Sequence, residues 1–87
     1  MSLKIQLSAT VAKYFSSLDR NIQARIRKKL EAIAADPQAA RLSKPLVGVD
    51  SRTARVGDYR IIFTIDPEVL FVADIGPRGQ IYRRLQR

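Results

Sequence analysis

Two arginines on either side of a predicted turn are the residues of this sequence best suited to chemistry. Arg55 and Arg60 flank Gly57-Asp58, a dipeptide typical of a two-residue hairpin loop. In such a hairpin Val56 pairs with Tyr59, so Arg55 lies directly opposite Arg60 on one face of the sheet. Like charges in that position destabilise a sheet. Stability alone does not account for such a pair, and we expect the two side chains to bind an anion, most simply a phosphate of nucleic acid.

A third arginine and a tyrosine are expected at the same end of the sheet. Pairing across the next predicted turn, Pro67-Glu68, places Ile75 beside Arg60. Arg78 then emerges near the arginine pair, and Tyr82 can return to that edge. The placement depends on register, because one extra residue turns every following side chain to the opposite face.

Such a set of residues can bind a phosphate, and it can also cleave RNA. RNA carries its own nucleophile, the 2′-hydroxyl, so a protein needs to orient it, stabilise charge on the phosphoryl oxygens and assist proton transfer. Arginines supply the charge, and a tyrosine can take part in proton transfer. A purely structural alternative stays open, with Arg55 paired to Asp58, Arg60 paired to Asp74, and Tyr82 as an edge aromatic.

The composition agrees with an anionic partner. The chain has 87 residues, with 16 Lys+Arg against 8 Asp+Glu and a formal net charge of +8. This charge fits nucleic acid, an anionic membrane or an acidic protein. Arginine outnumbers lysine, 11 to 5, and arginine forks favour phosphate or carboxylate groups over a membrane surface. The length predicts a single domain over residues 1–87.

Missing residue types exclude several kinds of site. The sequence contains no cysteine and no histidine, which excludes a disulfide framework and a thiolate metal site. It also removes the commonest general base. We therefore expect no metal and no cofactor. No apolar run is long enough to span a membrane, and the N-terminal residues lack a signal-peptide core, which predicts a cytoplasmic protein.

The first half of the chain predicts one strand followed by two helices. Residues 3–7 alternate apolar and polar side chains, as in a half-buried strand. Ser8 is a candidate N-cap for a short helix from about Ala9 to Ser17, and Asp19 is a candidate N-cap for a second helix. Asp36-Pro37 ends that helix. Its apolar stripe consists of Ile22, Ile26, Leu30 and Ile33.

The second half of the chain predicts three strands. These are Arg52–Val56, Tyr59–Ile65 and Val69–Ile75, of which the last is apolar on both faces and therefore central. Gly76-Pro77-Arg78-Gly79 ends it, and a short C-terminal piece follows from Ile81. The fold class is therefore α+β, in the order β-α-α-β-β-β. We expect a mainly antiparallel sheet with a two-helix hairpin packed on one face.

At this point the sequence resembles a known family. The stretch ARVGDYRIIFTID, Ala54–Asp66, is similar to the strand-turn-strand signature of the RelE/ParE toxin superfamily. IGPRGQIYRRL, Ile75–Leu85, resembles the family's C-terminal motif, and KPLVG, Lys44–Gly48, fits its middle loop. The match covers nearly the whole chain in order.

The resemblance to the RelE branch implies a ribosome-dependent mRNA endonuclease that cuts mRNA in the ribosomal A site. It also implies a cognate antitoxin that wraps the toxin and holds the activity off, for which we expect an acidic segment. By position, Arg55 matches a basic residue of the family's second strand and Arg60 its phosphate-stabilising arginine. Arg78 matches the arginine after the last strand, and Tyr82 the terminal tyrosine.

Two positions depart from the family pattern. The basic residue usual two places before Arg55 is Thr53, and the histidine or lysine frequent before the last arginine is Pro77. The ParE branch shares the fold but inhibits DNA gyrase, which is the alternative function. A catalytically inactive domain that only docks an antitoxin is a third possibility. Residues expected to contact the RNA backbone are Arg52, Arg83, Arg84 and Lys28.

Overall fold

The first strand and two helices form as the sequence predicts. The computed structural model describes residues 2–46 and 48–85, without the side chains of residues 82, 84 and 85. Strand β1 is Lys4–Leu7, helix α1 is Ala9–Ser16 and helix α2 is Arg20–Ala35. The hydroxyl of Ser8 accepts a 3.1 Å hydrogen bond from the Val11 amide and so caps α1.

The link between the two helices depends on a glutamine side chain. Asp19 occupies the N-cap position of α2 but makes no side-chain capping hydrogen bond. Instead the Gln23 amide group donates hydrogen bonds to the carbonyls of Phe15, at 2.9 Å, and Leu18, at 3.0 Å. These bonds join the end of α1 to the first turns of α2, which holds the two helices together as a hairpin.

The described strands form one five-stranded sheet. Strands β2 (Lys44–Pro45), β3 (Arg52–Val56), β4 (Tyr59–Ile65) and β5 (Val69–Pro77) follow the helices. The strand order is β1-β5-β4-β3-β2. β1 pairs with β5 in parallel, and the other pairs are antiparallel. The predicted fold class is therefore confirmed, and β5 lies between two neighbours as its apolar faces indicated.

The main core lies between the helical hairpin and one face of this sheet. The apolar stripe of α2 is buried against side chains from alternating positions of β4 and β5, as the helical and strand periods require. Fully buried side chains of this core are Ile26, Ile33, Ile61, Phe63, Leu70 and Val72. No helix in the described part of the chain is both long and apolar enough to cross a membrane.

Two elements were missing from the predicted order. The loop after α2 contains the two-residue strand β2, which is too short to show a period. Helix α3, Arg78–Leu85, directly follows β5 and contacts β5 and β4. Strand β5 ends within Gly76–Gly79 as predicted, but the last element is a helix that begins at Arg78 rather than a short piece from Ile81, because proline is tolerated just before a helix and a single glycine is tolerated within one.

Helix α3 covers part of the second face of the sheet. Ile62 points away from the main core, since it alternates with Ile61 and Phe63 along β4. It is nevertheless buried, and so is Ile81 of α3. Neither belongs to the main core cluster. We therefore assign both to a smaller apolar layer beneath α3, so this face is less open than the sequence indicated.

Candidate nucleic-acid interface

The β3–β4 hairpin places two arginines directly opposite each other. Its register pairs Val56 with Tyr59 and Arg55 with Arg60, as predicted. Gly57 has a φ of 57°, and no described non-glycine residue has a positive φ. This sign pattern is that of a type II′ turn, in which glycine occupies the first central position. The turn therefore fixes the like-charged pair at the end of the hairpin.

The two arginines differ in exposure. Arg55 is exposed, and its Nε donates a 3.1 Å hydrogen bond to the Gly57 carbonyl. Arg60 has only 8% of its surface exposed, although it carries a full charge. Burial of this kind restricts the positions that a guanidinium can adopt. Arg60 is thus the more fixed of the two cations and Arg55 the more accessible.

The neighbour of Arg60 on β5 differs from the predicted one. The turn at Pro67-Glu68 forms as expected, with Ile65 opposite Leu70, but the register shifts by one residue between Ile62 and Phe63. Arg60 consequently pairs with Gly76 rather than Ile75. The cause is a β-bulge on β5, where one extra residue enters the strand. Gly76 brings no side chain to the face that carries Arg60.

Arg78 lies at the same end of the sheet. It is the first residue of α3, it is exposed, and its backbone amide donates a 2.9 Å hydrogen bond to the carbonyl of Asp58. This bond ties the start of α3 to the tip of the β3–β4 hairpin. The structure therefore brings Arg55, Arg60 and Arg78 to one end of the sheet.

The remaining residues singled out in the sequence have different surroundings. Arg83 is exposed on α3, and the side chains of Tyr82 and Arg84 lie outside the described residues. Arg52 donates from Nε to the hydroxyl of Ser43, at 3.1 Å, and from its terminal nitrogen to the Ser43 carbonyl, at 3.3 Å. Arg52 thus fixes the loop before β2, a role that the sequence did not indicate.

A basic cavity of about 240 Å³ opens beside the arginine pair. It lies between α2, the loop before β2, and strands β3 and β4. Thr53 on its floor pairs with Lys44 of β2, so a lysine stands next to the position where the family pattern has a basic residue. The cations that line this cavity are Lys29, Arg41, Lys44, Arg55 and Arg60, and none of the described residues that line it is a carboxylate.

A second cavity of about 470 Å³ adjoins the first and shares Lys29, Leu42 and Arg55 with it. Its cations are Arg25, Lys28, Lys29 and Arg55, and its apolar lining comes from Ala32, Leu42 and Val56. In the described part of the chain, no carboxylate lines this cavity either.

Sequence reasoning missed most of these cations. Of the cations on α2, the sequence predicted Lys28 alone as an RNA contact. The signal was present in the spacing of Arg25, Lys28 and Lys29, which share one helix face. Arg41 lies in a segment without any period, and no sequence pattern pointed to it. Lys44 begins the KPLVG stretch that resembles the family's middle loop, but no binding role was predicted for it.

Comparisons with known proteins identify a protein family for this chain. The family profile described as the ParE toxin of type II toxin–antitoxin systems, parDE, matches residues 5–82. No curated protein sequence is significantly similar to the chain.

Solved structures share the fold. The RelE–RelB complex of the archaeon Pyrococcus horikoshii has a chain that is 22% identical, with a TM-score of 0.74, over 92% of this chain and 99% of that one. The isolated Escherichia coli RelE toxin is 22% identical, with a TM-score of 0.76, over 98% of this chain and 96% of that one. The Mycobacterium tuberculosis RelBE toxin–antitoxin complex has a chain that is 20% identical, with a TM-score of 0.76, over 90% and 100%.

Proposed function

The chain belongs to the ParE toxin family of type II toxin–antitoxin systems, and we propose that it acts as a ribosome-dependent mRNA endonuclease. The observation that carries this proposal is the like-charged pair of Arg55 and Arg60 beside a cavity that, among the described residues, is lined by cations and by no carboxylate. A phosphoryl group in this cavity would meet positive charge on several sides.

The proposed reaction uses the RNA's own nucleophile. The 2′-oxygen attacks the neighbouring phosphorus, a 2′-O–P bond forms, and the bond from phosphorus to the 5′-oxygen breaks. The 2′-hydroxyl loses its proton, the leaving 5′-oxygen gains one, and a 2′,3′-cyclic phosphate remains. Arg60 and Arg55 stabilise the charge on the phosphoryl oxygens, as fixed cations do in phosphoryl transfer. Arg78 assists them from the start of α3.

Proton transfer is assigned to Tyr82, because the sequence has no histidine. Tyr82 follows Arg78 by one turn on α3. A site with so little acid–base capacity depends on accurate placement of the 2′-hydroxyl. We propose that the ribosome supplies this placement by holding mRNA in the A site. Lys44 supplies the cation that Thr53 lacks, since the two residues are paired across β2 and β3.

We also propose that a cognate antitoxin neutralises this chain. The RelE chains of P. horikoshii and M. tuberculosis are each part of a toxin–antitoxin complex. A partner with an acidic segment suits the basic surface here, because complementary charge favours association and excludes wrong partners.

Primer extension on cellular mRNA after induction tests the nuclease. We expect cuts at codon positions in translated messages, and we expect Arg78→Gln and Arg60→Gln each to remove them and relieve growth arrest. Lys13→Gln is the matched control, because Lys13 is an exposed cation on α1, away from the cavity. Circular dichroism of each variant checks the fold. Cutting that persists in both arginine variants would contradict the proposal.

The family description itself favours a second candidate, inhibition of DNA gyrase by a ParE-like toxin. Relaxed or cleaved DNA together with intact mRNA after induction would identify that function.

A further inference from the structure

The outer edge of β3 is only partly covered. β2 pairs with Arg52 and Thr53, and no described strand pairs with Ala54–Val56 on that side. The two basic cavities lie along this open stretch. Because they share Lys29, Leu42 and Arg55, they form one continuous depression, which we call the edge groove.

The edge groove concentrates positive charge from four parts of the fold. Its cations come from α2, the loop before β2, β2 itself and the β3–β4 hairpin, and no carboxylate is among the described residues that line it. Arg25 and Lys29 are four residues apart on α2, and like charges at that spacing destabilise a helix. Fold stability therefore gives no reason for this arrangement. The cations are Arg25, Lys28, Lys29, Arg41, Lys44, Arg55 and Arg60.

We propose that the edge groove binds consecutive phosphates of the single RNA strand whose scissile phosphate lies at Arg55 and Arg60. This inference rests on the proposed nuclease function, because it follows the same strand away from the point of cleavage. Arg55 lines both cavities, so a strand held at the arginine pair continues into the groove in one direction. Lys29 lies at the junction, and Arg41 lines the first cavity.

The lining of the groove favours RNA over an acidic protein segment. Beside its cations the second cavity presents an apolar surface from Ala32, Leu42 and Val56. A nucleotide combines a charged phosphate with a flat base, and single-strand sites join a basic groove to surfaces on which bases lie. The planar guanidinium of Arg25 rests against the hairpin tip, with its terminal nitrogen 3.0 Å from where a Cβ on Gly57 would be. Guanidinium planes stack on unpaired bases.

The salt dependence of RNA binding tests the groove without ribosomes or cleavage. Each neutralised phosphate of a single strand contributes about −0.7 to the slope of log K against log salt. The full-length chain is titrated with a short 2′-O-methyl oligouridylate, which lacks the 2′-hydroxyl nucleophile. We expect the double variant Lys29→Gln/Arg41→Gln to make this slope shallower by about 1.4. Between about 50 and 200 mM salt, the wild type then loses about 7-fold more affinity than the variant.

The control is Lys4→Gln/Lys13→Gln, which removes the same charge from exposed positions that line neither cavity. Its slope should match that of the wild type. Equal slopes for the two double variants would overturn the proposal. So would a loss of binding seen only with a polyglutamate peptide, since that outcome assigns the groove to an acidic protein segment.

The nuclease proposal and the groove proposal can be refuted independently. If primer extension shows no cuts while the slope still falls in Lys29→Gln/Arg41→Gln, the nuclease is refuted and the RNA groove stands. If cuts appear and the slope does not change, the groove is refuted and the nuclease stands.

Discussion

Replacing Arg55 by glutamine should make the protein more stable while abolishing its toxicity. Arg55 lies directly opposite Arg60, and like charges at such positions cost a sheet about 0.2–1 kcal/mol. The substitution also removes the Arg55–Gly57 hydrogen bond, which is exposed and therefore worth at most about 0.5 kcal/mol. When the hydrogen bond is counted at its full value, the net gain is at most about 0.5 kcal/mol. For a domain of this length that gain raises Tm by about 2–4 °C.

Thermal unfolding at low and high salt measures this gain and identifies its cause. At about 1 M salt the Debye length falls to about 3 Å, so repulsion between the guanidinium groups is screened and the difference in Tm should shrink. Lys13→Gln is the control, because it removes one charge from an exposed position on α1. An Arg55→Gln variant less stable than the wild type, or stabilised no more than the control, would refute the reasoning.

Two further pairs of substitutions and one single substitution test the backbone and the packing, each measured by urea unfolding. Gly57→Ala should lower the free energy of unfolding by about 1 kcal/mol because φ is 57°, whereas Gly79→Ala, with open space around the new Cβ, should raise it by up to about 1 kcal/mol. Ser8→Ala should cost about 1 kcal/mol through loss of the α1 cap, and Asp19→Ala clearly less, since Asp19 makes no capping hydrogen bond. Ile26→Ala, at a fully buried position, should cost about 2–5 kcal/mol; a smaller loss than that of Ser8→Ala would contradict the assigned core.

Local signals account for what the sequence predicted correctly. The Gly57-Asp58 turn determines the pairing of the hairpin, so the opposition of Arg55 and Arg60 followed from loop length alone. The stripe of α2 has the helical period, and its central residue Ile26 is buried. Such features depend on residues that are close in sequence, so turn propensity and hydrophobic periodicity are enough to predict them.

The edge groove could not be predicted in the same way. Its cations are brought together by the packing of α2 and the loop before β2 against the edge of β3. Ser43 and Arg52 hold that loop through side-chain hydrogen bonds, and the periodicity of the sequence does not indicate such contacts. Helix α3 was missed for a related reason, since it gains burial only through tertiary contact of Ile81.

The bulge in β5 connects the packing of the core with the site. Leu70 and Val72 have even residue numbers and face the core. Ile75 has an odd residue number and is nevertheless buried in the same core. A regular strand cannot place all three on one face, so an extra residue must enter between Val72 and Ile75. In the regular register Ile75 would stand beside Arg60 and leave the core. The bulge returns Ile75 to the core and puts Gly76, which has no side chain, beside Arg60 on β5.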